Sequence, residues 1–122
     1  MEFTPGETNV ICTEIDRSLV FYRDALGYRL VEMDDGAARL ALGDRYLLLL
    51  PLASEPVGEA PYGERAEISF DLRTDDLEGA ATHLAACGVA FETPWERGGT
   101  YFVIRDPDGL RIEVVGGSVL PG

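Results

Sequence analysis

The chain has 122 residues, 22 of them acidic and 10 basic, for a formal net charge of -12. That length fits one domain burying roughly two thirds of its unfolded surface. The charge balance excludes a nucleic-acid partner, because neutralising phosphates takes a basic face and the basic residues are dispersed among acids.

The longest strongly apolar stretch, Tyr46 to Ala53, is interrupted by Pro51 and is too short to cross a bilayer. Met1 to Glu7 has neither the basic start nor the apolar run of a secretory signal, so a cytoplasmic protein with no membrane partner is expected. Cys12 and Cys87 fall in a strand pattern and a helix pattern, where buried thiols behave as hydrophobes, and both are expected in the core.

In chain order, Glu7 to Thr13 reads as a strand, followed by a helix capped by Asp16 or Ser18 with Leu19, Tyr22 and Leu26 on one face and Gly27 at its end. Strands over 28–33, 37–42 and 46–50 follow, separated by the hairpin signals Asp34-Asp-Gly36 and Gly43-Asp44. Residues 52–65, rich in Pro and Gly, form a connecting loop.

The same order then recurs. Glu67 to Leu72 reads as a strand, and Asp75-Asp-Leu-Glu78 has capping-box spacing ahead of a helix with the stripe Leu77, Ala81 and Leu84. Gly88 ends that helix. Strands over 89–92, 100–105 and 111–115 complete the half, the last two joined by Asp106-Pro-Asp-Gly109. A duplicated unit of this kind has sheet faces that must be covered, which makes a homodimer a reasonable expectation.

The residues Glu14-Ile-Asp-Arg-Ser18, Phe21-Tyr-Arg-Asp-Ala-Leu-Gly-Tyr28, Ile68-Ser-Phe70 and Tyr101-Phe-Val-Ile-Arg-Asp-Pro-Asp-Gly109, with Glu113 beyond, resemble the vicinal oxygen chelate superfamily. That group includes glyoxalase I, bleomycin-resistance proteins, extradiol dioxygenases, fosfomycin-resistance proteins and methylmalonyl-CoA epimerase. The resemblance implies an α+β fold of two βαβββ modules whose curved mixed sheets surround a ligand cleft. It places one domain over 1–122, with module one at about 1–52, a linker at about 52–65 and module two at about 66–117. Such proteins usually pair as dimers.

The resemblance also implies a metal site, and here the sequence departs from the pattern. The positions that usually carry histidines hold Glu7 and Glu67, while the third, a glutamate, is retained as Glu113. Three carboxylates are hard oxygen donors, so such a site suits Mn, Mg or Ca better than Zn or Fe. Glu113 and Glu67 are then the catalytic candidates, and Asn9, Trp95 and Tyr101 the ligand-binding candidates. His83, on a helix, reads as solvated.

Besides a structural or regulatory dimer with a vestigial cavity, two readings of function stay open. One is a divalent-metal-dependent isomerase, epimerase, lyase or transferase acting on an oxygenated small molecule held in an acidic cleft. The other is a metal-free protein that sequesters a cationic aromatic antibiotic or metabolite, as bleomycin-resistance proteins do.

Overall fold

The first hairpin shows how local chemistry sets the register. Asp35 and Gly36 adopt φ of 51° and 81°, the two positive values that a tight primed turn requires and that an Asp-Gly pair tolerates. That turn joins β2 (Arg29–Asp34) to β3 (Ala37–Leu42), and Gly43-Asp44 joins β3 to β4 (Arg45–Leu50). The structure is a computed structural model and describes residues 1–117.

The chain divides into two compact units, Met1–Pro56 and the remainder from Val57. In the first, β1 (Thr8–Ile11) runs parallel to β4, and the sheet order is β1-β4-β3-β2. In the second, β5 (Phe70–Thr74) runs parallel to β8 (Arg111–Gly116), followed by β7 (Tyr101–Arg105) and β6 (Ala90–Thr93). With one helix in each crossover, these are two βαβββ modules of an α+β fold.

Helix α1 (Ile15–Val20) widens into a π-helix over Phe21–Ala25. Of the expected stripe Leu19, Tyr22 and Leu26, only Tyr22 is fully buried, and the buried set extends to other positions. Ser18, Phe21 and Ala25 are buried beside Tyr22, while Leu19 and Leu26 are half-buried. Neither Asp16 nor Ser18 caps this helix: the N-cap is Glu14, without a side-chain hydrogen bond, and Ser18 is wholly buried inside the helix. Helix α2 (Leu77–Ala86) is capped by Asp76, whose Oδ1 accepts a 2.9 Å hydrogen bond from the Gly79 amide.

Cys12 is buried as expected, but Cys87, the C-cap of α2, is exposed. The β5 strand also starts later than expected. Its parallel register pairs Phe70 with Ile112, so Glu67 would face Gly109, where β8 has already given way to the Asp106–Gly109 turn. Glu67 therefore precedes the strand. No helix among the described residues is long and apolar enough to cross a membrane.

Period-two alternation separates the faces of the second sheet. Phe102, Ile104, Ile112 and Val114 are buried, as is Leu84 on α2, while Tyr101, Val103, Glu113 and Val115 lie on the other face. The turn that aligns β7 with β8 is built by Asp106, whose Oδ1 accepts from the amides of Asp108 and Leu110 at 2.9 Å each. Gly109, at φ 87°, supplies the left-handed residue the turn needs.

Tyr28, at the mouth of β2, is 7% exposed and packs edge-on against Tyr22, and burial pushes its phenol up to about 12. A raised pKa stabilises the folded state fully below the ordinary value of 10, and that contribution is lost as pH climbs through about 12. Chemical denaturation across this alkaline window is expected to show a loss on the order of 2 kcal/mol in the wild type and a flatter profile in Tyr28→Phe.

Candidate ligand cavity

The open face of the second sheet carries a cavity of about 570 Å³ lined by Pro61, Tyr62, Glu92, Thr93, Thr100, Tyr101, Val103, Glu113 and Val115. Three strands and one loop segment build it. β7 and β8 present Tyr101, Val103, Glu113 and Val115 by alternation, in the register Val103 opposite Glu113 and Tyr101 opposite Val115. The register of β6 against β7 slips between Phe91 and Thr93, a bulge that turns two successive side chains, Glu92 and Thr93, toward the cavity. The Pro61-Tyr62 segment closes a side.

That segment is held by charge. Arg111, whose side chain is 5% exposed, directs its guanidinium to the Ala60 carbonyl, to Glu67 at 3.5 Å and to Glu92 at 3.4 Å. Glu92 also accepts from Arg105 at 2.7 Å and from the Tyr62 amide at 3.3 Å. The Tyr62 hydroxyl pairs with Ser69 at 2.6 Å. The Arg105 guanidinium, joined by the Tyr62 amide and Arg111, holds the Glu92 carboxyl below its ordinary range despite burial.

Asp71, opposite Glu113 in the register, pairs with Arg73 at 3.6 Å. Glu113 is different. It is half-buried on the cavity wall and has no hydrogen bond or ion pair to another described residue. The cavity thus carries one uncompensated carboxylate, not a cluster.

The remaining predicted site residues are distributed as follows. Glu67 precedes β5 and is bound to Arg111, outside the cavity lining. Glu7 belongs to the first unit, where Arg39 holds it at 3.0 Å. Asn9 is exposed on β1 of the same unit. Tyr101 lines the cavity and is 49% exposed. Trp95 is half-buried in the loop after β6, donating from Nε1 to the Gly99 carbonyl at 3.2 Å, and does not line the cavity. His83 is exposed on α2, 3.8 Å from the Cys87 sulfur. Sequence reasoning missed Glu92, Thr93 and Arg111; the bulge that turns Glu92 and Thr93 toward the cavity has no residue-type signature.

With Glu7 and Glu67 each engaged by an arginine, the donor set does not fit a metal. Within each unit, no three His, Cys, Asp or Glu among the described residues are placed to hold an ion. The family model for the glyoxalase/bleomycin resistance protein/dioxygenase superfamily matches residues 4–114. The chain belongs to that superfamily.

Among solved structures it is similar to lactoylglutathione lyase from Agrobacterium tumefaciens, at 25% identity over 93% of each chain with a TM-score of 0.68. It is also similar to an integron cassette protein from the mobile metagenome of V. cholerae, at 28% identity over 97% of this chain and 98% of that one, TM-score 0.68. The fold, at 16% identity, is shared with the fosfomycin resistance protein of Mesorhizobium loti, TM-score 0.74 over 98% of this chain and 95% of that one. No curated protein matches the chain.

Because Glu92 lies below its ordinary value of 4.5, its stabilising links are fully present above that value and are lost as pH falls through the lower folded-state value. Glu92→Gln removes the charge that compensates Arg111 and is expected to destabilise the chain at neutral pH by about 2–4 kcal/mol. Urea denaturation at neutral pH and near pH 3 checks this: the wild type should lose more stability on acidification than the variant.

Proposed function

We propose that this superfamily member binds a small organic cation with a flat, apolar body in the cavity of its second unit. The observation that carries the reading is the unpaired Glu113 carboxylate on a wall otherwise made by Tyr101, Val103 and Val115. Every other acid named on this face is answered by an arginine: Asp71 by Arg73, Glu67 by Arg111, Glu92 by Arg105 and Arg111. A ligand that brings its own positive charge supplies what Glu113 lacks, and inside a partly enclosed cavity that pairing is stronger than in water.

The apolar body would lie against Tyr101 and the two valines, with Thr93 and Thr100 offering hydroxyls to its edges. Arg105 and Arg111, which do not line the cavity, are already paired with Glu92, so they add no unanswered positive charge beside it. The acidic net charge of the chain raises the local concentration of a cation.

The same free carboxylate also supports a second reading, in which Glu113 takes a proton from the bound molecule and returns it elsewhere, as an isomerase or epimerase requires. Binding is common to both, and turnover separates them.

Calorimetric titration with a panel of amine-bearing aromatic compounds is expected to find a one-to-one ligand. Glu113→Gln should weaken it by at least about tenfold, the loss of one charge-assisted pair, while Asn9→Ala leaves it unchanged. Recovery of the compound unchanged after long incubation would favour sequestration. A chemically altered product lost in Glu113→Gln would favour the enzyme. A panel without any ligand, or binding indifferent to Glu113→Gln, would sink the cavity reading.

A further inference from the structure

The two units share a device that the superfamily's metal chemistry does not call for. In the first unit, Arg39 of β3 reaches Glu7 at 3.0 Å and Glu32 of β2 at 3.4 Å. In the second, Arg111 of β8 reaches Glu67 at 3.5 Å and Glu92 of β6 at 3.4 Å. Each time an arginine on an inner strand joins an acid just before the first strand of the module to an acid on the opposite edge strand. Glu7 and Glu67 are the two residues that stand where the resemblance expects metal-binding histidines.

We infer that these two positions have been converted from metal ligation to arginine cross-braces, so that the chain works without the divalent ion its fold family implies. A carboxylate already neutralised by a guanidinium attracts an incoming ion less, the neighbouring positive charge repels that ion, and ligation through both oxygens displaces the arginine. The Arg111 side chain, 5% exposed, cannot turn to water when it is abandoned. Leaving a buried guanidinium with fewer acceptors is strongly unfavourable, and an incoming ion must overcome that penalty in addition to its own dehydration.

Glu113 keeps a free carboxylate, and one carboxylate with water is a weak site for Mn(II) or Mg(II). All ten basic residues are arginine, whose planar fork can reach acceptors on two strands at once, where a lysine offers a single point charge.

This inference does not depend on the organic-cation reading. A chain that binds neither amines nor metal would end that reading and leave the braces standing.

The test titrates the full chain calorimetrically with Mn(II), Mg(II) and Ca(II). The wild type should show no saturable one-to-one site, and the paired variant Arg39→Met with Arg111→Met should gain Mn(II) uptake at least about tenfold above it. A one-to-one site in the wild type that disappears in Glu67→Gln would overturn the inference. So would a folded double variant, judged by circular dichroism, that still takes up no Mn(II). Should the double variant fail to fold, Mn(II) broadening of wild-type amide resonances decides: selective loss of signal at Glu7 and Glu67 refutes the braces, and its absence upholds them.

Discussion

The guanidinium of Arg111 is the contact on which the second unit's cavity depends. A buried cation must be answered on every side, and Arg111 is answered by three separate pieces of chain: the Ala60 carbonyl, Glu67 and Glu92. Satisfying it draws the 60–67 segment onto the sheet, and that segment supplies Pro61 and Tyr62 to the cavity wall. The cavity is a by-product of solving one electrostatic problem. Because the solution consumes Glu67 and Glu92, it also decides which acid is left over, and that acid is Glu113.

Much of the fold is legible from local rules. Asp35-Gly36 announces a primed turn because few other pairs accept two positive φ values, and Gly27 and Gly88, both at positive φ, close the two helices as their positions after apolar stripes suggest. The alternation in Arg111-Ile-Glu-Val-Val115 is enough to turn Glu113 away from Ile112 and Val114. What local rules miss is what distance hides. Glu67 meets an arginine 44 residues further on, and Tyr62 meets Glu92 across 30. The π-turn over Phe21–Ala25 is missed for another reason: its residues have ordinary helical character and carry no signature of the wider turn.

The repeat is architectural more than chemical. Both units use a parallel edge pair, a central antiparallel hairpin and a bulged opposite edge, with register slips after Leu30 and after Phe91. Yet the first unit fills its inner strand β4 with Leu47, Leu48, Leu49 and Leu50, while the matching strand of the second unit carries Arg111 and Glu113. Duplication supplied two similar sheets with an arginine brace in each, and the cavity with its free carboxylate belongs to the second.

The bulge in β6 limits how this chain can change in length. At an ordinary strand position a deleted residue flips the side chains beyond it to the opposite face. In β6 the slip lets Glu92 and Thr93 face the same way, so removing one residue there would restore simple alternation and leave one polar side chain toward the cavity where there are now two. Either loss is costly: without Glu92, Arg105 loses its carboxylate and Arg111 keeps only Glu67 and the Ala60 carbonyl, and without Thr93 the wall opens. Single-residue deletions should therefore be tolerated in the 52–56 stretch and rejected at 91–93, a difference in evolutionary freedom set by one extra residue on an edge strand.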